Sequence, residues 1–163
     1  MCFKPDTQAL RLQHVNLYCM RHIGVKVLLL DADNTISPWG SNEIDPAVVE
    51  WVETAKSAGF AVLIASNNSL GRVRPLCDKL GIGALSSAGK PLPFRLKKAV
   101  RSLGFEPKQC AMIGDQVLTD VIAGNLAGMH TVLLQPISLA DEYKVTMFNR
   151  GLEKVVKKLW KIM

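Results

Sequence analysis

Four aspartates of this 163-residue chain fall into two spaced pairs. Asp31 and Asp33 belong to the sequence DADNT, and Asp115 and Asp120 begin and end the sequence DQVLTD. Carboxylates that share one crevice repel each other unless a cation lies among them. Carboxylate oxygens with a few waters are the ligands that Mg²⁺ prefers, usually together with a substrate phosphate. If the fold brings the pairs together, all four residues are candidate Mg²⁺ ligands in a site for a phosphorylated substrate.

Three further polar residues supply what a phosphoryl group needs. Ser66 and Asn67, in the sequence SNN, offer hydroxyl and amide donors, and Lys90 offers a compact positive charge. Phosphoryl transfer depends mostly on positioning and charge stabilisation, so this set comes close to sufficing for it. We therefore expect Ser66, Asn67 and Lys90 to bind phosphate, and we count Ser66 and Lys90 among the catalytic residues.

The acidic residues divide naturally into separate roles. Asp31, nearest the preceding apolar run, is suited to attack phosphorus as a carboxylate nucleophile and form an aspartyl phosphate. Asp33 lies beside another acid, which favours its protonated form, and is suited to protonate the leaving oxygen and then activate water. Asp115 would complete the metal shell. Asp120 would either bind the metal through water or hold Lys90 in place.

Apolar patterns predict the elements that position these residues. Short apolar runs indicate five buried strands, at 25–30, 60–65, 82–85, 110–113 and 131–134. A helix is expected to begin at Pro46, with Asp45 as its N-cap, and to end near Gly59. Two more helices are indicated by apolar residues at helical spacing, namely Leu70, Val73, Cys77 and Leu80 in one and Leu96, Ala99, Val100 and Leu103 in the other.

Alternating strands and helices predict an α/β fold, a doubly wound, Rossmann-like parallel sheet of five strands with helices on both faces. In such open sheets, ligands bind outside the carboxyl ends of the strands. Asp31, Ser66, Lys90 and Asp115 follow four successive predicted strands. The sequence therefore predicts one site, assembled at a single edge of the sheet.

The ordered motifs resemble those of the haloacid dehalogenase superfamily, in its phosphatase branch. The residues that carry the resemblance are DADNT at 31–35, Ser66, Lys90 with Pro91, and GDQVLTD at 114–120. More narrowly, DNT-x-x-PW, SNN, GKP and GDQ-x-x-TD resemble the YqeG group of subfamily IIIA, which is similar to the phosphatidylglycerophosphate phosphatases. The resemblance implies Mg²⁺, an aspartyl-phosphate intermediate, the roles given above, and a metal ligand from the backbone carbonyl of Asp33.

Members of this superfamily often carry a cap domain after the first or second motif. Here 34 residues separate Asp31 from Ser66, and 23 separate Ser66 from Lys90. Each interval is filled by one helix, one strand and short loops. We therefore expect no cap and an open site, which suits a phosphate on a lipid headgroup or another bulky molecule, or a small substrate enclosed by a partner subunit.

Composition and charge narrow the class of protein. The chain is 48% hydrophobic and 21% charged, which excludes a disordered or collagen-like chain and predicts one domain over residues 1–163. Its four cysteines are far apart and show no metal-ligand spacing, so we expect reduced thiols. No apolar run approaches the roughly 20 residues that span a bilayer, and no signal peptide pattern opens the chain. We expect a cytoplasmic protein.

The net charge of +6 is concentrated in two segments. Residues 86–105 hold five basic and no acidic residues, beside Lys90 at the predicted phosphate site. Residues 149–163 hold five basic residues and one acidic residue in a pattern that predicts an amphipathic C-terminal helix. That helix would either pack on the domain or make peripheral contact with an anionic membrane. A local field of this kind does not require nucleic acid, and we expect none as a partner.

Other functions use similar residues. A phosphoacceptor module of the response-regulator type has an acidic pair after its first strand but its acceptor aspartate after the third, where this chain has Lys90. A non-catalytic phosphate-binding protein would lack some of the expected catalytic residues, and none is missing here. Within catalysis, a soluble nucleotide or sugar phosphate stands beside phosphatidylglycerophosphate as the alternative substrate.

Overall fold

The computed structural model describes residues 2–138. The C-terminal helix predicted at 149–163 lies outside the described residues. Within them, six strands form one sheet, in which every neighbouring pair is parallel and the order is β1-β6-β5-β2-β3-β4. The strands are β1 Thr7–Ala9, β2 Val27–Leu30, β3 Ala61–Ala65, β4 Gly83–Leu85, β5 Cys110–Gly114 and β6 His130–Leu134.

The doubly wound parallel sheet is confirmed, but the predicted count of five strands is wrong by one. The additional strand, β1, pairs with β6 at one edge of the sheet. It has only three residues, Thr-Gln-Ala, of which the first two are exposed. Because a strand at a solvated edge needs no apolar run, hydrophobic patterning gave no signal for it.

In the described part of the chain, five α-helices accompany the strands: α1 Leu17–His22, α2 Pro46–Ser57, α3 Leu70–Leu80, α4 Phe94–Ser102 and α5 Ile122–Ala127. The prediction for α2 is confirmed in detail. Pro46 is its first residue, and the carboxylate of Asp45 accepts a hydrogen bond from the Ala47 backbone N–H at 2.8 Å. A cap of this kind satisfies one of the N–H groups that a helix start leaves unpaired.

The helices cover both faces of the sheet, as the alternation of β2 makes clear. Leu28 and Leu30 pack with the buried faces of α2 and α3, while Val27 and Leu29 pack with those of α4 and α5. Successive residues of a strand point to opposite faces, so a strand buried on both sides reads as an uninterrupted apolar run. Every residue of β2 is accordingly buried.

Two residues at the helix ends depart from the predicted apolar faces. Leu70, the first residue of α3, is exposed, and Leu76 joins Val73 and Leu80 in the core instead. Leu103, which follows α4, is also exposed.

The two intervals between the site motifs hold no cap. Residues 32–65 form a loop followed by α2 and β3, and residues 67–89 form α3 and β4 with their connecting loops. Among residues 2–138, no helix combines the length and the apolar character needed to cross a membrane.

Candidate active site

The predicted site residues meet at the carboxyl edge of the sheet. Asp31 directly follows β2, Ser66 follows β3, and Asp115 follows β5. Lys90 lies in the loop after β4. Together with other polar residues they form a cleft of about 190 Å³, lined by Asp31, Asp33, Trp39, Ser66, Asn67, Asn68, Lys90, Gln116 and Thr119.

Lys90 lies between two aspartates at the base of this cleft. Its Nζ donates to Oδ1 of Asp31 and to Oδ1 of Asp120, each at 2.6 Å. All three side chains are almost completely buried. An ion pair in this setting is worth little net stability, but removing one partner leaves an uncompensated buried charge. The contact therefore fixes the position of Lys90 firmly.

Within residues 2–138, three carboxylates form one cluster that could hold a metal ion. Oxygens of Asp31, Asp115 and Asp120 lie within 4.8 Å of one another, and all three residues are buried. With all three ionised, their charge of −3 is offset only partly by the ammonium of Lys90. Hard oxygen ligands with an excess of negative charge fit a divalent cation such as Mg²⁺ or Mn²⁺.

The electrostatics of this cluster shift the titration of its members. Burial raises the pKa of Asp31 to about 7; the positive charge of Lys90 opposes this shift, and the negative charge of Asp120 adds to it. Burial by itself would lower the pKa of Lys90, but the carboxylates of Asp120 and Asp31 outweigh it and raise that pKa. Lys90 is therefore a fixed positive charge at neutral pH.

Asp33 is held apart from the acidic cluster. Its Oδ1 accepts a hydrogen bond from Arg72 Nη2 at 2.6 Å, and its Oδ2 accepts one from the side-chain amide of Asn68. Arg72 also donates to the backbone carbonyl of Ser41 at 2.8 Å and to Oδ1 of Asn42 at 2.8 Å. The carboxylate of Asp33 thus faces the start of α3. A metal ligand from its backbone carbonyl, as the family resemblance implies, stays a prediction.

Asn67 makes a contact that sequence reasoning did not anticipate. Its side-chain NH₂ donates to the carbonyl of Lys90 and its side-chain oxygen accepts from the N–H of Lys90, both at 2.8 Å. The side-chain amide therefore clamps the backbone that carries the lysine. Asn67 also lines the cleft, and its phosphate-binding role stays a prediction.

Asp120 is brought to Lys90 by a turn that leaves no room for a side chain at Gly114. The residue lies on a π-helical turn, Val117–Val121, and its Oδ2 accepts from the Gln116 N–H at 3.1 Å. A Cβ at Gly114 would lie 2.8 Å from the Cβ of Asp120 and closer still to its carboxyl group. Close approach is one of the reasons a position requires glycine.

Sequence reasoning missed Arg72, and for Trp39 it favoured packing over contact with a substrate. Arg72 lies in the first turn of α3, which begins two residues after Asn68. The sequence did offer one signal for Arg72: it is a basic residue in the first turn of a helix that begins beside the site. Trp39 is partly buried and lines the cleft beside Asp33.

Comparison with known proteins gives this arrangement a family. The model of the haloacid dehalogenase-like hydrolases matches residues 14–128, which include all of the site residues. The chain belongs to this family. The resemblance read from the motifs is thereby confirmed.

Individual relatives are consistent with the family assignment. The probable phosphatase YqeG of Bacillus subtilis is 36% identical, over 93% of this chain and 88% of its own length. A phosphatidylglycerophosphate phosphatase of chloroplasts and mitochondria in Arabidopsis thaliana is 26% identical over 96% of this chain, which spans 47% of that protein. The family and these relatives together make the chain a phosphatase.

A solved structure shows the same fold. It is 3-deoxy-D-manno-octulosonate 8-phosphate phosphatase of Moraxella catarrhalis in complex with magnesium, phosphate and the sugar acid. The match has a TM-score of 0.57 and 21% identity, and it covers 71% of each chain. At this identity the likeness concerns the fold alone.

Proposed function

We propose that the chain is a Mg²⁺-dependent phosphomonoesterase that works through an aspartyl phosphate on Asp31. The observation that carries the proposal is the different placement of the Asp31 and Asp33 side chains. Asp31 lies in the buried carboxylate cluster against Lys90, while Asp33, only two residues away, faces Arg72 and Asn68. One carboxylate is thus available for bonding to phosphorus near the cation site, and another for moving protons.

The carboxylates of Asp31, Asp115 and Asp120 would hold the metal, with the backbone carbonyl of Asp33 as the further ligand that the family implies. Bound Mg²⁺ would neutralise charge on the phosphoryl oxygens. Lys90, which remains protonated at neutral pH, adds a second positive charge next to Asp31. The hydroxyl of Ser66, which already accepts a hydrogen bond from the Asn68 N–H, is a donor for a phosphoryl oxygen.

The reaction would proceed in two displacements at phosphorus. In the first, a carboxylate oxygen of Asp31 bonds to phosphorus, the bond from phosphorus to the ester oxygen breaks, and Asp33 gives its proton to that leaving oxygen. In the second, Asp33 takes a proton from water as the water oxygen attacks phosphorus. The bond between phosphorus and Asp31 breaks, which releases inorganic phosphate and restores both carboxyl groups.

The open cleft bears on the substrate. No cap covers the described site, so a phosphate carried by a large group can reach Asp31. Relatives of this chain are named phosphatidylglycerophosphate phosphatases, and a lipid phosphate monoester of that kind is the substrate class we propose. Soluble sugar and nucleotide phosphates are the competing substrates in the experiment below.

The test is phosphate release from p-nitrophenyl phosphate, a phosphatidylglycerophosphate micelle, and sugar and nucleotide phosphates, each with Mg²⁺ and with EDTA. We expect release that requires Mg²⁺ and disappears in Asp31→Asn. Asp33→Asn should lower the rate by about 10²–10⁴-fold, the usual contribution of general acid–base catalysis. Asp78→Asn, an exposed position on α3, is the matched control and should keep full activity.

A trapping experiment separates the covalent mechanism from direct attack by water. With substrate labelled at phosphorus, acid quenching should leave label on the wild-type protein and none on Asp31→Asn. Full turnover by Asp31→Asn, or turnover unaffected by EDTA, would overturn the proposed mechanism.

A further inference from the structure

Exposed apolar side chains follow two of the cleft segments in the chain. Leu92 and Phe94, which follow Lys90 in the chain, are 59% and 72% exposed, and Leu70, which follows Asn68, is 54% exposed. Side chains of this size are expensive to leave in water, and exposed apolar groups gathered beside a site mark an interaction surface. These three, with the exposed basic residues Arg95 and Lys98, are called the rim surface below.

The two segments that carry the rim surface adjoin each other and the site. The Asn67 side chain is hydrogen-bonded to the Lys90 backbone at both of its polar atoms, and the Ser87 N–H donates to the Asn68 carbonyl at 2.8 Å. Leu70 begins α3 three residues after Asn67, and Leu92 lies two residues after Lys90. The apolar side chains are therefore attached to the loops that form the wall of the cleft.

The charge of the rim surface has one sign. Arg95 and Lys98 lie in the first two turns of α4, where Phe94 and Lys98 are neighbours on one helical face. The side chain of Arg95 packs back toward Gly89, next to Lys90. Residues 86–105 contain no acidic residue. Apolar groups interspersed with basic ones, and free of acids, are complementary to an anionic lipid surface.

We propose that the rim surface docks on an anionic lipid bilayer and so presents the open cleft to phosphate groups at the membrane surface. The inference rests on the proposed function, since docking serves catalysis only where the phosphate monoester is a lipid. Leu92 and Phe94 would enter the headgroup region, and Arg95 and Lys98 would pair with lipid phosphates.

The direct test is flotation of the full chain with vesicles of phosphatidylcholine alone or mixed with phosphatidylglycerol. We expect binding to the mixed vesicles that weakens as NaCl is raised, because salt screens charges at a surface. Leu92→Ser with Phe94→Ser should weaken binding on the order of tenfold. Arg95→Gln with Lys98→Gln should weaken it by about 30-fold, at roughly fivefold per basic residue.

A matched control lies near the amino ends of the strands, on the side of the sheet opposite to the cleft. Tyr18 and Ile23, in and just after α1, are also exposed and lie before the amino end of β2. Tyr18→Ser with Ile23→Ser removes as many exposed apolar groups and should leave vesicle binding unchanged. All variants should turn over soluble p-nitrophenyl phosphate at the wild-type rate, which shows that the cleft is intact.

The outcomes separate the docking surface from the proposed function. If neither the phosphatidylglycerophosphate micelle nor any soluble phosphate is hydrolysed, the proposed function fails, and flotation still reports on the rim surface. The docking proposal is overturned by equal flotation of the wild-type and rim variants, which would assign any lipid binding to another part of the chain. The proposal is also overturned if the wild-type protein does not float with the mixed vesicles. The same holds if it does not float and the rim variants instead lose a dimer or RNA binding.

Discussion

The ammonium of Lys90 lies 2.6 Å from the carboxylate of Asp120, with both side chains nearly excluded from solvent. This contact joins the loop after β4 to the turn after β5 across the base of the cleft. For Asp120 the sequence left two roles open, metal binding through water and support of Lys90. The structure shows the contact with Lys90, and it also places Asp120 in the acidic cluster.

Lys90→Met should destabilise the protein by about 3–5 kcal/mol in EDTA, because the change leaves the buried carboxylates of Asp31 and Asp120 without their ammonium. Methionine keeps the length of the side chain and removes the charge. Urea unfolding with and without Mg²⁺ measures the effect. A cation that binds only the native state stabilises it, so Mg²⁺ should restore part of the loss.

The control for this prediction is Lys56→Met. Lys56 pairs with Glu53 at 2.8 Å on the surface of α2, where ion pairs contribute about 0–1 kcal/mol. If both substitutions cost the same free energy of unfolding, the buried contact of Lys90 has no special importance for stability.

Gly114→Ala should displace Asp120, because the added methyl group would occupy the space of its carboxyl group. A displacement on the order of 1 Å in a catalytic arrangement can cost about 10²-fold in rate. We expect a loss of kcat/KM of that order, together with a lower Tm. Gly71→Ala is the control, since a Cβ at Gly71 meets nothing within 4 Å and alanine favours the helix. Unchanged kcat/KM in Gly114→Ala would count against a role for Asp120.

Much of this fold and site could be read from the sequence because the controlling signals are local. Strands buried on both faces, such as β2, must be apolar throughout, and Asp31 had to lie at the carboxyl end of one. Chain order then placed Ser66, Lys90 and Asp115 at the same edge. The missed strand β1 has no fully buried residue, so it leaves no apolar pattern in the sequence.

The contacts that could not be predicted from the sequence depend on side-chain direction. Nothing in the sequence specifies that Asp33 turns toward Arg72, 39 residues away, and not toward Asp31. In the same way, the Asn67 amide could serve a substrate or the Lys90 backbone, and only the packed loops decide between them. Pairings of this kind depend on how distant loops pack against each other. Residue types and their spacing along the chain do not reveal that packing.

Arg72→Ala should impair the acid–base step, because Arg72 links Asp33 to the loop carbonyl of Ser41 and so fixes the direction of the Asp33 carboxylate. We expect kcat to fall about 10–100-fold for an alkyl phosphate, a part of the general acid–base contribution. For p-nitrophenyl phosphate the loss should be smaller, since its good leaving group needs less protonation. Comparing kcat for the two substrates measures the effect.

Two variants make the test of Arg72 specific. Arg72→Lys keeps the charge but lacks the planar fork whose Nη2 reaches Asp33 and Ser41 while Nη1 reaches Asn42, so it should recover only part of kcat. Arg74→Ala removes an exposed arginine from the same helix and should have no effect. An equal loss for both substrates in Arg72→Ala would indicate a general structural role and not positioning of the acid.

The metal-free protein should become less stable as pH rises from about 4 to 7, through the titration of Asp31. Burial raises the pKa of Asp31 to about 7 in the folded chain, above its ordinary value near 4 in the unfolded chain. Between these values the native state binds a proton that the unfolded state lacks. The free energy of unfolding therefore decreases with pH across that window.

Urea unfolding of wild type and Asp31→Asn in EDTA isolates the effect, since the asparagine variant lacks the group and should show a flatter profile. Added Mg²⁺ favours the ionised carboxylate and should remove the difference in slope. Parallel pH profiles of the two proteins in EDTA would show that burial does not raise the pKa of Asp31 in the folded chain.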